Sequence, residues 1–233
     1  MSERALRTDL QLPVWLQPLH DGLRDRDRTE QLRTLRPGVG GRTAAVLILI
    51  GSSEAGPDIV FVERAHSMRS HPGQVAFPGG GAEPGDADIA ATAVREAVEE
   101  TGVDPAGIEV FGRMPIAHVS VSGYDVTAVT AWWREPSPVR AADPLEVASV
   151  HRIGVHELTD PRNRVMAVHP AGYTGPAFET HGLFIWGLTA HFLDGLLDLA
   201  GWQQDWDQTR TAPVPARFLT DSRARKSDHD DAY

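Results

Sequence analysis

Three glutamates placed directly after a glycine-rich turn restrict this chain more than any other feature of its sequence. Phe77-Pro-Gly-Gly-Gly81 leads through Glu83-Pro-Gly-Asp86 into Arg95-Glu-Ala-Val-Glu-Glu-Thr-Gly-Val103. Glu99 and Glu100 follow Glu96 by three and four positions, which on a helix brings each of them beside Glu96 on a neighbouring face. Like charges held so close repel unless a cation sits among them, and hard oxygen donors suit magnesium or manganese. The competing reading is a solvated helix face balanced by scattered arginines. The glycine turn argues against it, because it lets backbone approach a metal or phosphate closely. Carboxylate ligands must also be held still. Ile89, Ala90, Ala93, Val94 and Ala97 give the helix an apolar side small enough to lie close to a sheet. Asp86 or Asp88 is placed to cap its start, and Gly102 to end it.

The flanking sequence supplies that sheet. Residues 43–50 form a buried-strand pattern and residues 58–63 a second strand, a hairpin whose loop spans about seven residues. Residues 75–77 make a short strand into the glycine turn. Further strands are expected at 108–118, 125–133, 147–153, 165–169 and 184–186. A helical turn is expected at 155–159. Leu188, His191, Phe192 and Leu196 repeat at helical spacing within 187–199. Residues 1–40 read as an N-terminal arm with sparse apolar positions, packed on the domain or on a second subunit. Residues 41–204 read as one domain. Residues 205–233, polar, charged and interrupted by Pro213 and Pro215, read as a poorly ordered tail.

Composition excludes several classes of function. The 233 residues contain no cysteine, which rules out disulfides, thiolate metal sites and cysteine nucleophiles. A formal net charge of −10 argues against general nucleic-acid binding, but not against a small phosphorylated substrate that needs only local positive charge. Lys226 is the one lysine among the 22 basic residues, a bias that also favours bidentate phosphate contacts. The most apolar run, residues 44–50, is too short to cross a bilayer, and the charged N-terminus is unlike a signal segment. A cytoplasmic location is expected, with no membrane partner.

The segment from Arg95 to Val103 resembles the Nudix box, in which glycine, five residues, glutamate and seven residues precede Arg-Glu-x-x-Glu-Glu-x-Gly-aliphatic. Gly81 fits the first glycine. Ala87 stands where the first glutamate belongs, and Asp86, one position earlier, is the substitute expected to brace Arg95. Upstream, Arg64-Ala65, Arg69, Gly73 and Phe77-Pro-Gly-Gly80 are spaced as in the Nudix coenzyme A diphosphatases. Val60-Phe-Val-Glu63 departs from the usual lead-in of that subfamily.

The resemblance implies the α/β Nudix fold, an α/β/α sandwich around a mixed β-sheet. It implies metal-dependent hydrolysis of coenzyme A or an acyl-CoA to 3′,5′-ADP and a 4′-phosphopantetheine product. Glu96, Glu99 and Glu100 would hold Mg²⁺ or Mn²⁺, with Glu96 and Glu100 also candidates for the chemistry. Glu146, in Pro144-Leu-Glu-Val147, is the candidate general base, against the reading of an ordinary loop acid. Arg64 and Arg69 are candidates to grip the diphosphate or the 3′-phosphate, against the reading of surface arginines. His71 braces the loop or touches substrate, and Gly79, Gly80 and Gly81 admit the phosphates. Trp186, His118 and His191 read as structural. The resemblance also implies a homodimer. The alternatives are a Nudix hydrolase of ADP-ribose or another nucleoside diphosphate derivative, and a non-catalytic Nudix-fold binding or regulatory module.

Overall fold

The alternation of apolar residues in residues 42–50 decides the architecture. In a computed structural model describing residues 11–32, 41–68, 70–119 and 123–219, Ala44, Ile48 and Ile50 point to one side of a sheet, Ala45, Leu47 and Leu49 to the other. A strand buried on both faces needs cover on both.

In chain order the elements begin with α1 (Gln17–Arg24), α2 (Arg26–Gln31), β1 (Arg42–Ser53), β2 (Gly56–Arg64), β3 (Val75–Ala76) and β4 (Gly79–Gly81). Then come α3 (Ile89–Thr101), β5 (Ile108–Arg113), β6 (Ala117–Val119), β7 (Tyr124–Trp133) and β8 (Val147–Gly154). The chain continues through α4 (Val155–Leu158), β9 (Arg164–Val168), β10 (Thr174–Thr180), β11 (Leu183–Ile185), α5 (Gly187–Leu199) and β12 (Thr211–Pro213). Strand β1 is the centre of the main sheet. It runs parallel to β7 and antiparallel to β2 and β4. β5 and β6 extend the sheet from β7, and β3 and β8 from β2. The sheet is therefore mixed.

α3 packs Ala93 and Ala97 against Ala45, Leu47 and Leu49. The opposite face is covered by Leu16 and Leu19 of the N-terminal segment together with Phe192, Leu193 and Leu196 of α5. That is the expected α/β/α sandwich. A second sheet, in the order β11-β10-β9-β12, adjoins it.

Several boundaries differ from the sequence reading. The first hairpin closes on Ser53 and Gly56, leaving a two-residue turn instead of a seven-residue loop. The stretch read as one strand at 108–118 is two, because Met114, Pro115 and Ile116 interrupt it. Residues 205–219 correct the expectation of a poorly ordered tail. β12 pairs in parallel with β9, and Val214 and Phe218 are buried. The rest of that tail, like residues 1–10 and 33–40 of the arm, lies outside the described residues.

Candidate active site

The glycine turn and the glutamate helix are bound into one unit. β4 pairs Gly79, Gly80 and Gly81 with Val46, Ala45 and Ala44. A Cβ on Gly79 would lie 2.3 Å from the Ala45 carbonyl oxygen and 2.6 Å from Val46 Cα, so side-chain-free backbone is required there. A Cβ on Gly80 would meet the Glu96 carboxylate at 2.5 Å. Glu96 thus lies directly over the turn. From the helix side, the Glu100 carboxylate accepts the Gly79 N–H at 3.0 Å, and Arg95 donates to the Gly81 carbonyl at 2.9 Å.

α3 is well terminated. Asp88 is its N-cap and accepts from the Ala91 N–H, and Gly102, in the left-handed conformation at φ 66°, ends it. Asp86 is freed for another task. Its carboxylate accepts from Arg95 Nε at 3.0 Å and Nη2 at 3.2 Å, and from the Glu83 N–H at 2.9 Å. The Arg95 pair, followed by the Glu83 N–H, holds Asp86 far below the usual carboxylate range, and Asp86 in turn raises Arg95. The displaced acid is the partner of the arginine in this structure.

The three glutamates are not equivalent. Glu100 is 3% exposed, Glu96 half-buried and Glu99 exposed. Burial raises the Glu100 carboxyl to about 7, against the opposing pull of the Gly79 N–H and the Arg64 charge. Burial also raises Glu96, again against the pull of Arg95. Arg95 Nη1 lies 3.0 Å from both Glu96 and Glu99. Among the described residues no three carboxylates or histidines already converge as a metal cage. The carboxylates are drawn instead to Arg95 and to the Gly79 N–H. The donor set nonetheless suits a hard dication. Glu96, Glu100 and Glu146 interact repulsively, each of the first two made harder to ionise by Glu146, in a partly dehydrated site rich in anionic oxygen.

Glu146, 46 positions beyond Glu100 in the sequence, reaches the helix because its turn is docked. The Asp143 carbonyl accepts the N–H groups of Glu146 and Val147, and the Glu146 carbonyl accepts the Ala65 N–H at 2.8 Å. Arg64 stands at the end of β2, its backbone bonded to Gln74 and Gly73, so the loop after it closes on itself. His71 lies in that loop with φ 57°. Arg69 lies outside the described residues. The structure therefore brings Arg64, the glycines, Glu96, Glu100 and Glu146 together, with Arg95 and Asp86 behind them. The backbone docking of the 143–147 turn onto Ala65 had no signal in the sequence, since it uses no side chain.

The residues read as structural fit that reading. Trp186 stacks on His169 and Phe218 in a satellite core. His118 pairs with Asp125 at 2.7 Å, and burial lowers His191. Among the described residues no helix is long and apolar enough to cross a membrane.

Comparison with known proteins gives a domain match and two sequence relatives. The NUDIX domain model matches residues 41–170. The chain is 36% identical over 172 residues to an uncharacterized Nudix hydrolase, NudL, from Citrobacter koseri, covering 70% of this chain and 88% of that one. It is 38% identical over 152 residues to the protein of the same name from Yersinia pestis, covering 64% and 75%. A solved Nudix hydrolase from Nitrosomonas europaea superposes with a TM-score of 0.47 at 12% identity, covering 75% and 80%. The sequence matches carry the weight.

Proposed function

This chain belongs to the Nudix family of hydrolases acting on phosphorus-containing anhydrides, and from that premise we propose that it cleaves the diphosphate bond of coenzyme A or an acyl-CoA, yielding 3′,5′-ADP and 4′-phosphopantetheine or its acyl form. One observation supports the hydrolytic reading most. The buried Glu100 carboxylate, half-buried Glu96 and Glu146 crowd one another beside an arginine-bearing loop. A pure binding module has no need to sustain that repulsion. The choice of coenzyme A rests on the spacing of Arg64, Arg69, Gly73 and Phe77-Pro-Gly-Gly80.

Nudix hydrolases generally use divalent metals, and Glu96, Glu99 and Glu100 are the residues that would hold Mg²⁺ or Mn²⁺ here. Such an ion, when bound, neutralises the diphosphate oxygens and makes water more acidic. The protein groups divide the remaining work. Arg64 and Arg69 grip phosphate oxygens, Arg64 also setting positive charge beside Glu100. The glycine backbone lets the diphosphate lie against β4, and His71 holds the loop. Glu146 takes the proton of the attacking water as its oxygen bonds to phosphorus and the bridging P–O bond breaks. Asp86 and Arg95 keep helix and turn in register throughout.

The direct experiment supplies Mg²⁺ or Mn²⁺ with coenzyme A, ADP-ribose and NADH in turn, and resolves products by chromatography. We expect 3′,5′-ADP from coenzyme A. Turnover of ADP-ribose alone would move the substrate to another nucleoside diphosphate derivative, and no metal-dependent turnover would favour a binding module.

A further inference from the structure

We propose that Thr92 is a positioning residue for the metal-holding carboxylates, the contact that lets Asp86 act as bracing acid from a place one residue early. The inference rests on the metal-dependent reading above. Two changes separate Asp86 from the acid the box pattern specifies: it lies one residue further from Arg95, and its side chain is one methylene shorter. A carboxylate so placed has to be aimed. The Thr92 hydroxyl donates to Asp86 Oδ2 at 2.8 Å, the shortest of the bonds that fix this carboxylate.

Its position explains the effect. Thr92 lies on the first turn of α3, three residues before Arg95, so hydroxyl and guanidinium share a face of the helix. The residue is fully buried. Its hydroxyl also approaches the Asp88 carbonyl, but only at 3.4 Å, so Asp86 is the principal partner. With Thr92 and the Glu83 N–H on Oδ2, the carboxylate cannot turn about its Cβ–Cγ bond, and both oxygens meet Arg95. Arg95 then extends Nη2 to the Gly81 carbonyl and Nη1 to Glu96 and Glu99. The sequence of contacts runs from a buried hydroxyl, through one acid and one arginine, to the glycine turn and two metal-holding carboxylates. Without the hydroxyl, Oδ2 loses the shortest of the bonds that aim it.

Thr92→Val keeps the shape and the β-branch and removes only the donor. Mn²⁺ affinity of the purified protein, followed by electron paramagnetic resonance without substrate, should fall about tenfold, the low end of what outer contacts contribute at metal sites. The metal concentration needed for half-maximal turnover should rise in parallel, with KM at saturating metal unchanged. Thr92→Ser, which keeps the hydroxyl, should restore both. If the valine variant does not fold, Thr92→Ala makes the same comparison with a better helix former. Unaltered Mn²⁺ affinity in a folded hydroxyl-free variant, or failure of serine to restore it, would overturn the inference. Absence of Mn²⁺ binding by the unsubstituted protein would instead overturn the functional reading on which it rests.

Discussion

Glu100 shows most sharply what the site demands of a single residue. It is ionised in the unfolded chain above its ordinary value of 4.5, yet burial keeps it protonated in the fold up to about pH 7. Metal-free protein therefore loses stability as pH rises from about 4.5 to 7, by roughly 3 kcal/mol in all. Glu100→Gln should abolish most turnover and at the same time raise the unfolding temperature of chelator-treated protein at pH 8. The two proteins should converge as pH falls to 4.5. A constant difference across that range would show that the carboxylate is not the source. Arg95 is a second residue-scale case, since its fork meets Asp86, Gly81, Glu96 and Glu99 together. Arg95→Lys keeps the charge but not the fork, and should lower turnover at limiting metal at least tenfold, read as activity against Mg²⁺ concentration. The glutamates and Arg95 were legible in the sequence because their spacing is local to one helix. Asp86 was legible as the brace from the box spacing, but the choice of Asp88 as cap was not, because both acids suit a helix start and only the fold of residues 83–86 separates them.

The joined turn and helix are more telling than either alone. Gly79 and Gly81 look alike in sequence, and their surroundings differ completely. Gly79 faces the Ala45 carbonyl and Val46, whereas a Cβ on Gly81 would meet nothing within 4 Å. Gly79→Ala must push β4 away from β1, breaking the pairing that presents the Gly79 N–H to Glu100. We expect it to destabilise the protein by at least about 2 kcal/mol, in the range of overpacked cores, and to remove activity. Gly81→Ala should leave thermal unfolding within about 0.5 kcal/mol of the original. Equal effects on unfolding from the two substitutions would show that β4 does not lie against β1 as described. At this scale the sequence revealed the elements whose pattern is repeated along them, such as α3, α5 and the double-faced β1. It concealed the strand break at 114–116 and the tight 53–56 turn, which depend on how neighbours continue the ladder. In the turn, Gly56 adopts φ 107°, so the run of small and polar residues read as a loop continues the two strands.

Across the whole molecule, the surprise is how much of the framework comes from both chain ends. Leu16 and Leu19 complete the core opposite α3, and the 205–219 segment completes the second sheet. Prolines and charges made that segment look unordered, but an edge strand tolerates proline, and β12 is a short edge strand beside β9. Its anchors come from distant parts of the sequence. Arg210 donates to the carbonyls of Pro161, Arg162 and Arg164 at 3.0–3.2 Å. The fully buried Arg164 guanidinium lies over the rings of Phe178 and Trp206 and pairs with Asp194. Phe218 packs with Val165, Ala167 and Ala177 and is 4% exposed. Phe218→Ala should cost about 3 kcal/mol, as for other buried aromatics, and lower the unfolding temperature by about 6–12 °C for a domain of this size. Because the turn and helix that carry the glutamates belong to the other sheet, turnover per folded molecule at low temperature should be unchanged. Differential scanning calorimetry paired with a rate measured well below the transition separates the two effects. An unshifted transition would mean that residues 205–219 contribute nothing to the fold. A lost rate in folded protein would mean that the second sheet reaches the site by contacts beyond those described.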